Sequence, residues 1–429
     1  MDKSSENSGE MALSGPADIQ LPAPPTPSPP PNGGLQAWLQ VLGAHFLFFS
    51  SWGIVNTFGA FQTFYESHYL TSSSSSAISW IGTTQGFLLI VIGVFTGPLY
   101  DSGHLRALIV AGAFLIVLGL LMVSISTKYY QIFLSLGICT GLGCGCLFVP
   151  SVAIAASYFS SKRATATGLT AAGGSVGGIV FPIVFRRLTE EIGYGWATRV
   201  MAFIVLIALS ASLLVLRPRV LPAKKRALID TEALRDVSFV LFSLALFHMF
   251  IGLYVPFFYI SSFAQARLGD HVSDDFSFYL LSIMNASSVF GRIVPNLLAD
   301  RFGSFNVLIP SALVTSALAF AWMGVDSVAT IVIFCVLYGF FSGAIVSLPG
   351  TALVKLCPEL SLIGTRMGMS FGFAGFGLLI GSPIGGQLLR TAAGYTALQA
   401  WSGATVLGGF FLLLLSLTLH VRGSKAREL

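Results

Sequence analysis

From residue 35 onward, apolar runs of about 20 residues alternate with short polar breaks, and each run is long enough to cross a membrane as an α-helix. The pattern predicts twelve spans, near residues 37–60, 77–100, 105–126, 129–157, 164–187, 196–216, 237–262, 276–299, 304–325, 328–354, 366–390 and 395–421. We therefore predict an all-α membrane protein.

The six spans before the central polar loop share sequence features with the six that follow. Asp101 and Asp300 each close a similar stretch and lie 199 positions apart, as do Pro150 and Pro349. Such a duplication predicts two pseudo-symmetric six-helix bundles that bind a substrate between them, near the bilayer midplane. The predicted units are a tail, a bundle, a linker, a second bundle and a tail, at 1–34, 35–216, 217–236, 237–421 and 422–429.

The tail at 1–34 is rich in proline and poor in bulky apolar residues, without the basic and apolar run of a cleavable signal peptide. We predict a disordered cytoplasmic tail with extended polyproline conformation. A ligand for a proline-binding module is the alternative interpretation.

Composition supports the membrane assignment. Hydrophobic residues make up 54% of the 429 residues and charged residues only 10%, against roughly 25% charged residues in soluble domains. So few charges cannot build the polar shell of a soluble protein, which excludes a water-soluble multi-domain chain.

The distribution of lysine and arginine predicts the orientation. If the N-terminus lies in the cytoplasm, sixteen of the 23 basic residues fall on the cytoplasmic side and six on the opposite side. This bias places both termini in the cytoplasm, and we expect the plasma membrane. Arg292 is the single basic residue left within a span.

Arg292 belongs to a polar stripe on the eighth predicted helix. At about 100° per residue, Asn285, Ser288, Arg292 and Asn296 point in nearly one direction. No carboxylate lies mid-span to pair with the arginine, so we predict that the stripe faces a wet substrate cavity. The alternative is that Arg292 extends to the membrane interface.

The first and seventh spans, which are equivalent in the two halves, carry further candidate substrate-binding residues. His45, Trp52 and Asn56 recur on one face of the first span, and His248 and Tyr259 lie on one face of the seventh. Imidazole, indole, phenol, amide and guanidinium groups together suit an organic anion with an apolar or aromatic body. Each histidine could carry a coupling proton or be a neutral packing residue.

Catalytic and metal-binding patterns are not found in the sequence. The five cysteines lack metal-ligand spacing, and no nucleophile–base constellation or nucleotide-binding loop is present, so we predict no enzyme activity, no metal and no cofactor. The expected partners are a small organic anion or aromatic metabolite, the lipid bilayer and, left open, protons. No nucleic acid partner is expected, and the oligomeric state is left open.

Several motifs carry a resemblance to a known family. "LADRFG" (298–303), with a weaker copy in "GPLYDSGHLRAL" (97–108), resembles the loop motif of the major facilitator superfamily. "PPNGGLQAW" (30–38) and "YFSSKRATATGLTAAGG" (158–174) are similar to signatures of monocarboxylate-transporter-like permeases, and "WGIVNTFGAFQTFY" (52–65) resembles their fungal members.

The resemblance implies roles for individual residues. Arg292 matches the helix-eight arginine that binds the substrate carboxylate in characterised animal members. Those members have an aspartate where this chain has Ser288 and a lysine where it has Asn56, so the acidic and basic partners of the arginine are absent. The loop motif implies that Asp300 and Arg301, with Asp101 as counterpart, latch the cytoplasmic gate; ordinary interfacial charge is the alternative.

Three functions are compatible with these observations. The first is a secondary transporter of a small organic acid, with proton coupling left open. The second is an exporter of a secondary metabolite or a carrier of a vitamin-like aromatic solute. The third is a nutrient sensor that transports nothing, which the short C-terminal tail disfavours.

Overall fold

The computed structural model of the protein describes residues 30–219, 228–269, 272–357, 359 and 362–428. Most of the predicted N-terminal tail, the middle of the linker and the last residue lie outside this part of the chain. The described residues are helical and contain no strand. Twelve long segments follow one another: α1 (Leu35–Tyr69), α2 (Ser75–Asp101), α3 (Leu105–Val123), α4 (Tyr129–Tyr158), α5 (Arg163–Ile192), α6 (Tyr194–Val215), α7 (Val237–Leu268), α8 (Asp274–Phe302), α9 (Ser304–Gly324), α10 (Val328–Leu356), α11 (Ile363–Leu388) and α12 (Gly394–Glu428).

Eleven of the described helices combine the length and the apolar composition needed to cross a membrane. The remaining one is α8, which is 29 residues long and therefore long enough to cross as well. Its polar stripe lowers its hydropathy, and this stripe is buried among other helices rather than exposed to lipid. The predicted twelve-helix architecture is therefore confirmed.

Two helix pairs make the most extensive contacts between the halves α1–α6 and α7–α12. The helix α5 packs along α8, and α2 packs along α11. Within the first half α5 also packs along α1, where Gly53 and Gly177 face each other so closely that a Cβ on Gly53 would lie 2.8 Å from the Gly177 Cα. Glycine-rich α5 thus touches both a helix of its own half and a helix of the other half.

The helices equivalent in the two halves, α1 and α7, are interrupted near their middles. The first breaks at Thr57 and the second at Tyr254, two residues before Pro256. Proline lacks the backbone N–H that would continue the ladder, which accounts for the second break. Interrupted helices at matching positions are typical of substrate sites in transporters with internal repeats.

Both interrupted helices are longer than predicted. The sequence predicts that they end at 60 and 262, but they continue to Tyr69 and Leu268. The apolar pattern marks only the segment within the hydrocarbon, whereas the backbone ladder of α1 continues through a π-helical turn at Tyr65–Tyr69.

Because the helices alternate in direction, the bundle has two ends. We call the end at which α1 begins the N-terminal face and the opposite end the far face. Contacts at each end agree with this alternation: Tyr158 donates to the Arg217 carbonyl at the N-terminal face (3.0 Å), and Tyr69 donates to the Ser126 carbonyl at the far face (3.0 Å).

Candidate functional site

The middle of the molecule contains an aromatic pair that crosses between the halves. Trp52 of α1 and Tyr254 of α7 stack with ring centroids 5.9 Å apart and an interplanar angle of 18°. Each side chain is 2% exposed. The indole Nε1 and the phenol hydroxyl of this pair have no hydrogen-bond partner among the described residues. The pair therefore offers flat apolar surface together with two buried polar atoms that need a partner.

Arg292 of α8 lies next to this pair. It is 2% exposed, and its Nη1 donates to the carbonyl of Ala171 in α5 at 2.6 Å. Its Nε is buried without a partner, and no carboxylate among the described residues forms an ion pair with it. The Tyr254 phenol is close enough to interact electrostatically with the guanidinium. A charge held by one neutral acceptor has unused capacity for an anionic or carbonyl-bearing ligand.

Gly174 of α5 lies between the aromatic pair and the Arg292 guanidinium. A Cβ at this position would lie 2.7 Å from the Trp52 Cβ and 3.0 Å from the Arg292 Nη1. Its carbonyl accepts a hydrogen bond from the Asn56 Nδ2 at 3.1 Å, and the Asn56 Oδ1 has no partner among the described residues. The absence of a side chain at Gly174 therefore allows Trp52, Asn56 and Arg292 to lie close to one another.

The sequence predicts that the polar stripe of α8 faces a wet cavity. In the structure it does not face a large one. It packs instead against α5 and α10: Asn285 contacts the position where Gly178 would carry a Cβ, and Ser288 has the same relation to Gly343. Asn285 donates to the carbonyl of Leu281 in its own helix (3.0 Å). The glycines leave grooves into which these polar side chains fit, a feature that helical periodicity does not reveal.

Arg292 also does not extend to the membrane interface, which was the alternative prediction from the sequence. Its side chain reaches across to Ala171 rather than toward the end of α8. Asn296, one turn further along, donates to the Arg292 carbonyl and to Ser347 of α10, both at 2.7 Å. The guanidinium thus stays at the depth of the aromatic pair.

Three of the predicted residues lie apart from Arg292 or are engaged elsewhere. The His45 Nδ1 is 2.9 Å from the Leu169 carbonyl of α5. The His248 Nδ1 is 2.9 Å from the Leu244 carbonyl of its own helix, and the ring faces Gly408 of α12. Tyr259 is fully buried toward the far face, where its hydroxyl donates to the Ser382 carbonyl of α11 at 3.0 Å.

A cavity of about 380 Å³ opens at the N-terminal face, between the ends of α2, α4, α5, α10 and α11. Asp101 and Arg163 lie near its mouth, and Phe148 and Phe371 lie deeper. These two phenylalanines are 6.0 Å apart, and Phe148 also meets the edge of the Trp52 ring at 6.3 Å. Phe148 therefore separates the cavity from the aromatic pair.

The far face is closed by contacts between the halves. The Ser76 hydroxyl of α2 donates to the Pro383 carbonyl of α11 at 2.9 Å. Arg186 of α5 forms an ion pair with Asp275 of α8 at 2.9 Å. Within the described part of the chain, the accessible end is therefore the N-terminal face.

The candidate gate residues all lie at the N-terminal face. The Asp300 carboxylate accepts from the Ala164 N (3.2 Å), the Thr165 N (3.0 Å) and the Thr165 hydroxyl (2.7 Å), so it caps the first turn of α5 from the other half. Arg301 is exposed, and Asp101 is buried in the cavity wall.

Sequence reasoning missed Tyr254 and Phe148. Pro256 offered a signal for the first, since a helix break in a transporter marks a binding region and Tyr254 lies at the break itself. No signal distinguishes Phe148 from the others among the 36 phenylalanines of the chain.

Comparisons with known proteins agree with the fold. The family model for the Major Facilitator Superfamily matches residues 41–358. The MFS-type transporter dbaD of Emericella nidulans is 44% identical over 385 residues, covering 89% of this chain and 86% of that protein. The aspyridones efflux protein apdF of the same species is 38% identical over 392 residues, covering 91% and 80%. The agnestins efflux protein AgnL12 of Paecilomyces divaricatus is 36% identical over 424 residues, covering 96% and 97%.

A solved structure has the same architecture. The crystal structure of a mutant of the nucleoside transporter NupG superposes with a TM-score of 0.67 at 15% identity, covering 89% of this chain and 99% of that one. The family match, the relatives and the helical architecture agree with one another: the chain belongs to the Major Facilitator Superfamily and is a multi-pass membrane transporter, not an enzyme.

Proposed function

We propose that this transporter exports a small secondary metabolite that has a flat, aromatic or conjugated body and an anionic or carbonyl-rich edge. The observation that carries this proposal is the stacked Trp52–Tyr254 pair beside Arg292, with buried polar atoms that lack partners among the described residues. Aromatic faces bind a planar solute, and the guanidinium binds its oxygen atoms.

The names of the relatives support export over import. Two of the similar proteins are named efflux proteins, one for aspyridones and one for agnestins. Uptake of a small organic acid, the first function considered from the sequence, is less well supported.

Orientation is part of the proposal. The excess of lysine and arginine on the side of both termini supports a cytoplasmic N-terminal face in the plasma membrane. The 380 Å³ cavity then opens to the cytoplasm, where an exported metabolite would enter, and the closed far face prevents leakage. In this cycle Asp300, with Arg301 and Asp101 nearby, controls the cytoplasmic gate.

Individual residues have distinct roles in the proposed site. Arg292 binds the anionic edge, Trp52 and Tyr254 hold the ring system, and Asn56 offers its free Oδ1 to a donor on the solute. His45, His248 and Tyr259 are not assigned to the ligand, because no hydrogen bond or ring contact among the described residues joins their side chains to Arg292 or to the aromatic pair.

We also propose that, within the superfamily, the chain belongs with the monocarboxylate-transporter-like permeases. This assignment suggests a second candidate function, the uptake of a small organic acid. Arg292 is the observation that favours it, since an anion-binding arginine would also serve the uptake of a small organic acid. Such a solute would use the guanidinium but not the aromatic pair.

A deletion strain tests the proposal. Metabolites would be compared between cells and medium in the deletion strain, in the strain complemented with the natural chain, and in one complemented with Arg292→Ala. We expect an aromatic metabolite to build up in the cells of the first and third strains. Unchanged metabolite levels combined with failed growth on an organic acid would contradict export and favour uptake.

A further inference from the structure

An apolar groove of about 390 Å³ lies between α3 and α6, which pack along each other at the edge of the first half. Its lining runs from Ile109 to Leu121 on α3 and from Leu206 to Leu213 on α6. Ser210 is the one polar residue of this lining, and its hydroxyl donates to the Leu206 carbonyl of its own helix at 2.7 Å. The groove therefore suits an occupant that is apolar along its length.

The groove opens to the lipid and not to the substrate path. Val110 and Phe114 of α3 and Leu206 of α6 line it and are exposed. Neither helix contributes to the wall of the cavity at the N-terminal face. An exposed apolar groove on a membrane-spanning segment is in contact with hydrocarbon chains.

A hydrogen bond closes the groove at the far face. The Arg199 Nε of α6 donates to the Ser124 hydroxyl at the end of α3 at 3.0 Å, and the guanidinium lies 4.8 Å from the centroid of the Trp196 ring. From Ile109 to Leu121 the groove follows about 18 Å of helix at 1.5 Å per residue. One leaflet contributes about 15 Å of hydrocarbon. The groove therefore has the length of one acyl chain from the leaflet at the N-terminal face.

At the open end, the lining of each helix leads to an arginine. Arg106 lies three residues before Ile109, so it is on the same face of α3, one turn nearer the N-terminal face. Arg217 lies four residues after Leu213, just beyond the end of α6, and its backbone N–H is held by the Gln40 Oε1 of α1 at 2.7 Å. Both arginines are exposed, and within the described residues neither forms an ion pair with a carboxylate.

The position of Arg106 is unfavourable for its own helix. It is the second residue of α3, where the helix dipole disfavours a cation. An anion bound near the side chain would offset this cost. Two cations above an apolar groove match the chemistry of an anionic phospholipid, which joins a phosphate to hydrocarbon chains.

We propose that the groove between α3 and α6 binds one anionic phospholipid from the leaflet at the N-terminal face. An acyl chain lies in the groove, and Arg106 and Arg217 bind the phosphate by charge-assisted hydrogen bonds. The lipid then fastens α3 to α6 at the end opposite the Arg199–Ser124 hydrogen bond. The site does not depend on export, and it agrees with a cytoplasmic N-terminal face, because the cytoplasmic leaflet holds the anionic lipids.

Native mass spectrometry tests the two arginines. The full chain, purified in detergent, is titrated with phosphatidylserine or with the neutral lipid phosphatidylcholine, and the bound lipids are counted. We expect one phosphatidylserine to bind more tightly than any phosphatidylcholine. Arg106→Gln and Arg217→Gln should each weaken it about fivefold, the equivalent of about 1 kcal/mol per arginine. Arg422→Gln, at an exposed cation of α12 in the second half, is the control and should bind like the natural chain.

A second pair of variants tests the groove itself. Ala113→Trp fills the groove while both arginines stay in place, so the tight phosphatidylserine should be lost. Ala111→Trp, at an exposed position of the same helix outside the lining, should keep it. Added inorganic phosphate should not compete, because it lacks the acyl chain.

Three results would overturn the proposal. The first is natural affinity for phosphatidylserine in both arginine variants. The second is a tight site that survives in Ala113→Trp or that inorganic phosphate displaces, since neither fits a chain held in the groove. The third is a complex of two copies that Ala113→Trp dissociates, which would make the groove an interface between copies of this chain.

Discussion

Arg292 of α8 donates to the backbone carbonyl of Ala171 in α5, with 2.6 Å between the Nη1 and the oxygen. The bond joins the two halves at the depth of the aromatic pair. Both residues are on helices that must move apart or rotate if the halves rock, so the same guanidinium is available to hold the halves together and to bind a ligand.

Replacing Arg292 should abolish transport without unfolding the protein. Arg292→Ala removes a buried charge that has one hydrogen bond, so the thermal stability of the purified protein should change little or rise, while efflux is lost. Arg292→Lys should also lose most efflux, since an ammonium cannot reproduce the planar donor set. Arg199→Lys, at a cation that lies over the Trp196 ring, is the control and should transport normally. Normal efflux by both Arg292 variants would disprove the ligand role.

Substitutions in the stacked pair should separate its aromatic surface from its polar atoms. Trp52→Phe and Tyr254→Phe keep a ring but lose the buried N–H or hydroxyl, whereas the alanine variants lose both. We expect about a two- to tenfold loss of efflux for each phenylalanine variant, and a larger loss for alanine. Efflux rates of the exported metabolite in vesicles provide the measurement. Efflux rates equal to that of the natural chain in all four variants would show that the pair does not contact the solute.

Gly174→Ala should disrupt the site sterically. The added methyl group would lie 2.7 Å from the Trp52 Cβ, and relieving this overlap should cost about 1–3 kcal/mol of stability. Thermal unfolding of the purified protein measures the cost. Gly372→Ala in α11 is a matched control, because its nearest neighbour would be the Val94 Cγ2 at an ordinary 3.5 Å. Equal melting temperatures for the two variants would contradict the close approach.

Asp300→Ala should loosen the N-terminal face. The substitution removes three hydrogen bonds to the first turn of α5, and a single cap contributes about 1 kcal/mol. A cysteine introduced at Ser157, in the cavity wall, should then react faster with a water-soluble thiol reagent. Asp326→Ala at the far face serves as the control. An unchanged rate of thiol labelling in Asp300→Ala would indicate that Asp300 is an ordinary charge at the membrane interface and not part of a gate.

The ion pair between Asp230 and Arg366 should make stability depend on pH in acid. Arg366 Nε lies 2.9 Å from the Asp230 carboxylate and fastens the linker to the start of α11. Burial acts to raise the pKa of Asp230, but the hydrogen bond and charge of Arg366, with the backbone donors Ala233 and Glu232, outweigh it and hold the pKa below its ordinary value.

Because the folded-state pKa is lowered, the stabilisation is complete above the unfolded pKa and is lost as the pH falls through the folded value. The difference in melting temperature between the natural chain and Asp230→Asn should therefore be constant above about pH 5 and shrink below about pH 4. A difference that grows on acidification would contradict this assignment.

The sequence by itself determined the helix count, the duplication and the polar stripe of α8, because lipid leaves few ways to satisfy a backbone and helical period 3.6 assigns each face. It also marked the motif at 30–38, before α1, which contains Asn32. The Asn32 Oδ1 accepts from the Ser160 N at 2.6 Å and from the Ser161 N at 3.1 Å, a role that a carboxylate oxygen could fill as well.

Only the tertiary structure decided what the stripe faces and which residues join Arg292. Periodicity gives the direction of a side chain from its own helix, but not which helix lies opposite. Glycines of α5 receive the stripe, and the break at Pro256 turns Tyr254 rather than Tyr259 toward Trp52. Contacts of this kind join residues more than 100 positions apart, so they depend on how the two halves pack and not on local pattern.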